Sequence, residues 1–187
     1  MVVGLGNPGK KYEKTRHNIG YRVAEQLRKI HSLPEDLVFK QQSPFMMNEH
    51  GGPIAQLARY RNVSPAEILV IMDDFSISFG TLRLRHRGSS GGHNGLNSIL
   101  EAFGTPNVPR LRIGIGPVPE GDDPKDFVLR SFTKQEEAKV RIEVIPRTAD
   151  AVQRTISEGF EKAMNEFNAP LTPTLPPDVW GEGESKS

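Results

Sequence analysis

Cysteine is absent from this chain of 187 residues. That excludes disulfides, thiolate metal centres and cysteine nucleophiles, and it fits a reducing compartment. No apolar run approaches the roughly 20 residues needed to cross a bilayer, so no membrane segment is expected. Met1 leads directly into Val2-Val3-Gly4, which leaves no signal or transit segment to read. The expected compartment is the cytoplasm, or the mitochondrion if a presequence has been removed. A formal net charge of +1 does not indicate a uniformly basic nucleic-acid binder. His17, His31, His50, His86 and His93 show no H-E-x-x-H or comparable ligand spacing, so no metal is expected. Ser89 and Ser90 lack the G-x-S-x-G frame of a serine nucleophile.

What is present is an ordinary globular composition, 36% apolar and 25% charged, in a length that suits one domain. Val2-Val3 ends a short strand at Gly4, and Gly20 to Ile30 has helical periodicity with Val23, Leu27 and Ile30 on one face. Leu37 to Phe39 suits a strand, and Ile54 to Tyr60 a helix with Ile54, Leu57 and Ala58 inward. Ile68 to Met72 is a continuous apolar run ending at Asp73-Asp74, the pattern of a buried central strand. Thr81 to His86 and Arg110 to Ile115 alternate, with a short helix from Leu96 to Phe103 between them. Lys134 to Phe167 reads as helical, broken or kinked at Pro146. The alternation predicts the α/β class, a single-domain three-layer α/β/α sandwich around a mixed twisted sheet. Residues 1–167 would form that domain and 168–187, rich in proline and glycine, a disordered tail.

Two histidines lie in glycine- and asparagine-rich turns, Thr15-Arg16-His17-Asn18-Ile19-Gly20 and Gly91-Gly92-His93-Asn94-Gly95. Histidine beside carboxamides, without a thiol, suits activation of water. Gly4-Leu5-Gly6-Asn7-Pro8-Gly9 has the G-x-G-x-x-G spacing of a dinucleotide loop, but the polar stretch Lys10 to Arg16 follows where a helix should open. No dinucleotide cofactor is therefore expected. Two readings of that loop stay open: a tight turn without a ligand, or a turn that presents Asn7, able to donate and accept, to a peptide backbone.

Arg83, Arg85 and Arg87 stand two apart, so on a strand they share one face, and Arg110 and Arg112 repeat the arrangement. Such a stripe is either a solvated strand face or a phosphate-binding surface on a nearly neutral body.

Four motifs in order give a resemblance. Gly4 to Gly9 with Tyr12 and Thr15 to Asn18, Phe45-Met46-Met47-Asn48, Asp73-Asp74, and Gly88 to Leu96 resemble the bacterial-type peptidyl-tRNA hydrolases, as do Arg110 to Gly116 and Phe127-Val128-Leu129. The resemblance implies hydrolysis of the ester joining a peptide to the 3′ ribose of tRNA, with peptidyl-tRNA as partner, in a monomer without metal or cofactor. It implies that His17 activates water and Asp73 holds the imidazole, with Asp74 in reserve. It places Asn7, Tyr12, Met47, Asn48, His93 and Asn94 at the substrate, and Arg85 and Arg112, with Arg83, on tRNA phosphate. Against each stands a plainer reading: Asp73 as a cap on the next turn, Asn48 as a helix start, Met47 as core, His93 as a shaper of its loop. The chain departs from the family's pattern between His17 and Asn48, which is short, implying a strand or hairpin missing between Ile30 and Phe45. It departs again at Ser76, where a further aspartate is usual. The competing function is a tRNA- or ribosome-binding protein that has lost turnover through that shortened segment.

Overall fold

The structure, a computed structural model, describes residues 1–29, 37–40 and 46–169. The expectations for Ile30, His31 and Phe45, for the missing hairpin and for a tail beyond residue 169 lie outside the described residues.

Five strands form one sheet in the order β2-β1-β3-β5-β4. They are β1 (Val2–Gly4), β2 (Val38–Lys40), β3 (Leu69–Ser78), β4 (Leu82–Arg85) and β5 (Arg110–Gly116). The first four in that order run parallel, and β4 pairs antiparallel with β5, so the sheet is mixed as expected. Around it lie α1 (Ile19–Leu27), α2 (Gly51–Tyr60), α3 (Asn94–Phe103), α4 (Pro124–Leu129), α5 (Lys134–Lys139), α6 (Ile145–Glu158) and α7 (Phe160–Phe167).

The pleat of β3 divides the core in two. Leu69 and Ile71 face one cluster with Val23 and Leu27 of α1, Phe127 of α4, Val152 of α6 and Ala163 of α7. Val70 and Met72 face the other, with Ile54 and Ala58 of α2 and Leu96 and Ile99 of α3. A strand buried on both faces needs the unbroken apolar run that the sequence shows there. Helices on both faces of the sheet make the three layers. No described helix is long and apolar enough to cross a membrane.

The opening glycines serve packing. A Cβ on Gly20 would stand 2.4 Å from the Ile71 carbonyl oxygen and 2.7 Å from that of Leu5, so α1 can lie on β1 and β3 only without one. Gly20→Ala is expected to cost about 2–3 kcal/mol through this overlap, lowering Tm by about 5–10 °C in a thermal melt. An unchanged Tm would mean that α1 does not need so close an approach.

Three elements differ from the sequence expectation. β3 does not stop at Asp73-Asp74 but runs to Ser78, with a register irregularity against β5 between Asp74 and Ser78. Its partner allows this by lacking side chains: a Cβ on Gly114 would meet the Ser78 carbonyl oxygen at 2.1 Å, and one on Gly116 that of Phe75 at 1.9 Å. Pro146 does not break the C-terminal helix, because a π-helical turn over Val140–Val144 precedes it and Pro146 falls in the first turn of α6. The break comes instead at Gly159, whose φ of 94° ends α6. Helix α4 was not expected. Asp123 caps it by accepting from the Lys125 N–H, and Pro124 occupies its first position.

Candidate active site

His17 sits in a single 3-10 turn, Arg16–Asn18, immediately before α1. That turn is tied down on both sides. Thr15 bridges to Ser131, and the Arg16 N–H donates to the Arg130 carbonyl. The Arg16 guanidinium is buried, pairs with Glu136 at 2.7 Å, and lies over the rings of Phe127 and Phe132 at 4.6 and 5.1 Å. The histidine is thus held against the α4–α5 connection by its neighbour.

Asp73, nearly fully buried in β3, receives both histidines on one oxygen. His17 Nδ1 lies 2.8 Å from Oδ1 and His93 Nε2 3.1 Å from it, with the two rings 4.9 Å apart. His93 is the N-cap of α3, its Nδ1 accepting from the Leu96 N–H at 3.2 Å. This fixes its tautomer: Nδ1 is an acceptor, so the proton is on Nε2 and is donated to Asp73. An ionised Asp73 accepts from both rings, so His17 donates from Nδ1 and keeps the Nε2 lone pair free. Burial alone would raise the Asp73 pKa, but the two imidazoles outweigh it and hold the carboxyl well below the usual range. For His17, burial pulls the pKa down while the charge and hydrogen bond of Asp73 push it up; the sum is a raised value. Asp73 is therefore no mere turn cap.

Asn7 is locked by a second asparagine. Its backbone N–H donates to Asn18 Oδ1, and Asn18 Nδ2 donates back to the Asn7 carbonyl, both at 2.8 Å. The Asn7 Oδ1 accepts from the Met47 N–H at 2.9 Å. One lone pair of that oxygen is thus engaged, and the Nδ2 hydrogens remain to offer. Met47 is buried core whose backbone positions Asn7, while its side chain fills the space that a Cβ on Gly95 would occupy, 2.4 Å from Met47 Cγ.

These groups open onto a cavity of about 500 Å³. Asn7, His17, Asn48, His93 and Asn94 line it, and α4 contributes Val128 and Leu129. Tyr12 does not line it. It sits in the turn Lys10–Tyr12, where its carbonyl accepts from Thr15 Oγ1 at 2.8 Å and its ring lies under Lys11 Nζ. The second glycine turn does reach the cavity, through Ser90, Gly91 and Gly92.

The arginines part company. Leu82 and Leu84 enter the core, so Arg83 and Arg85 turn to the opposite face, which Arg110 and Arg112 share by cross-strand register. Arg85 is exposed on that face. Arg83 instead donates to the Asn168 carbonyl, while the Asn168 carboxamide pairs with both backbone groups of Leu84 and closes the edge of β4. That contact engages one of the five N–H donors of Arg83 and leaves its charge on the face. Arg112 pairs with Asp74. Arg110 is buried and donates to the carbonyls of Val108, Gly88, Ser89 and Pro106, which fixes the loop leading to His93.

Sequence reasoning missed Arg16, Asn18 and Arg110 as supports. A polar residue beside a candidate base was the available signal for the first two. For Arg110 the pattern misled, because alternation on an edge-proximal strand looks the same whether the side chain is solvated or covered by a loop. The ligand spacing argument was blind to another outcome: donor atoms of His17, Asp73 and His93 lie within 4.8 Å of one another, a set able to hold a metal ion.

The sequence model of the family described as Peptidyl-tRNA hydrolase matches residues 1–174. The chain is similar to a peptidyl-tRNA hydrolase of Methylacidiphilum infernorum, 44% identical over 182 residues that cover 90% of this chain and 97% of that one. It is 45% identical to one from Chloroflexus aggregans over 185 residues, with 90% and 98% covered. Among solved structures, the crystal structure of peptidyl-tRNA hydrolase from Acinetobacter baumannii superposes with a TM-score of 0.77 at 28% identity, covering 90% of this chain and 93% of that chain. Motif order, near full-length identity and a shared fold agree: this chain belongs to the peptidyl-tRNA hydrolase family.

Proposed function

We propose that the protein hydrolyses the ester between a peptide, or an N-acylated amino acid, and the 3′ ribose of tRNA, and so returns tRNA from stalled peptidyl-tRNA to translation in the cytoplasm. The observation that carries this reading is the single Asp73 oxygen that receives Nδ1–H of His17 and leaves its Nε2 bare toward the cavity. A carboxylic ester is already activated, so a positioned water and a base of near-neutral pKa suffice. Nε2 takes the proton from water as oxygen attacks the acyl carbon. Asp73 then stabilises the imidazolium, which returns the proton to the ribose oxygen as the ester bond breaks. Asn7 Nδ2, the one polar group of that side chain still unused, is a donor for the developing oxyanion. Asn48 and Asn94, both exposed at the cavity, suit peptide main chain, which every peptide presents alike.

The reaction is proposed to need no metal. Both ring protons already fill Asp73 Oδ1, and an ion on His17 Nδ1 would replace that proton and draw basicity away from Nε2. The chain is proposed to act as a monomer, since the base, its acid and the cavity all come from one copy.

The test is release of tRNA from N-acyl-aminoacyl-tRNA by the full chain, run with a transition-metal chelator present. Turnover is expected. Binding of tRNA without release would favour the non-catalytic reading, and release abolished by the chelator would restore the metal. Arg85→Ala and Arg112→Ala are each expected to weaken tRNA binding and reduce the slope of log affinity against log salt by about one phosphate. An unchanged slope would make the stripe a solvated surface only.

A further inference from the structure

Arg112 is placed for an RNA phosphate, yet in the free protein its fork is already engaged. Arg112 Nε donates to Asp74 Oδ2 at 2.5 Å, and Nη2 reaches the same oxygen and stands 3.5 Å from Ser76 Oγ. The other carboxylate oxygen, Oδ1, accepts from the Ser76 N–H at 2.8 Å and from Ser76 Oγ at 2.6 Å. Asp74 is therefore held at both ends, with 12% of its side chain exposed against 31% for Arg112, and it lines the catalytic cavity next to Asp73.

A part-buried pair contributes only modestly to the fold, since desolvation of the two charges offsets much of their attraction. Its effect on a polyanion is larger in proportion. A fixed carboxylate cancels the charge that a phosphate would meet, and here the carboxylate itself lines the cavity while its arginine stands on the basic face. Arg85, further along that face, donates to the Leu84 carbonyl and has no acid on it among the described residues.

We propose that Asp74 is an internal anion that occupies Arg112 until an RNA phosphate displaces it, so that phosphate docking and release of a cavity carboxylate form one exchange. This rests on the reading of Arg112 as a phosphate ligand. The exchange subtracts affinity from every phosphate-bearing RNA alike. The ratio between two such RNAs is unchanged. Only one that adds contacts elsewhere, such as an acyl group in the cavity, stays bound at low concentration, so Asp74 sets a threshold that weak partners fall below.

Asp74→Asn tests this, because an asparagine keeps an oxygen for Ser76 while removing the charge. In the full chain, KM for N-acyl-aminoacyl-tRNA and the inhibition constant of deacylated tRNA are each expected to fall about fivefold. In the double variant Asp74→Asn with Arg112→Ala, that gain should vanish and KM should equal that of Arg112→Ala alone. Weaker or unchanged binding in Asp74→Asn would overturn the exchange and make Asp74 a support for Arg112. A gain that persists without Arg112 would overturn it too, leaving only a general charge effect. If Arg112→Ala alone leaves KM unchanged, the phosphate reading of Arg112 itself fails and the exchange goes with it.

Discussion

His17→Ala is expected to lower kcat for tRNA release by about 100- to 10,000-fold, the usual worth of a positioned general base. KM should stay within about twofold. The face proposed to bind phosphate lies on β4 and β5, and the asparagines belong to other turns, so the imidazole is expected to contribute little to holding substrate. The fold should also survive, because the turn is anchored by Thr15, Arg16 and Asn18 rather than by the ring. A filter-binding measurement beside single-turnover kinetics separates the two effects. Undiminished turnover in this variant would remove His17 as the base. A loss confined to KM would make it a substrate-binding group instead.

Asp73→Asn should cost a similar factor, about 1,000- to 10,000-fold in kcat, for a different reason. The carboxamide carries no charge to stabilise the imidazolium, and if its Nδ2 turns toward the rings it donates where Oδ1 accepted, so the tautomers of His17 and His93 are no longer both enforced. The pH profile should change as well. In the native protein the active, neutral form of His17 appears only above its raised pKa, so the acid limb of kcat/KM lies on the alkaline side of a free imidazole. Without the anion, burial remains and the limb should move to lower pH. A limb that stays in place would mean that Asp73 does not set the basicity of His17.

The same pair leaves a signature in stability, and its sign follows from linkage. The lowered carboxyl pKa stabilises the fold above the unfolded aspartate value, about 4, and this is lost as pH falls toward the folded value. The raised imidazole pKa stabilises it below the unfolded histidine value, about 6.5, and this is lost as pH rises through the folded value. The contribution is therefore complete between those limits and fades on either side. Denaturant midpoints of the native chain and of Asp73→Asn, compared across that range, should differ most inside it.

Sequence by itself determined the layers, because periodicity is a local property. The apolar run from Ile68 to Met72 has the pattern of a buried central strand, and the fold covers it on both faces, whereas the close approaches at Gly4, Gly6 and Gly20 belong to the tertiary packing. It also singled out His17, Asp73, Asn7 and His93, since ordered motifs carry identity without carrying geometry. What the tertiary structure alone decided was how those groups share their hydrogen bonds. One oxygen of Asp73 serves two histidines that stand 76 positions apart in the chain numbering, from His17 to His93. The Asn7 oxygen accepts from Met47, and Arg83, Arg110 and Arg112, indistinguishable as alternating arginines, go to an edge cap, a buried loop anchor and an aspartate. Each hydrogen-bonding group has few partners to give, and which partner takes it depends on distances across the fold that no local pattern encodes.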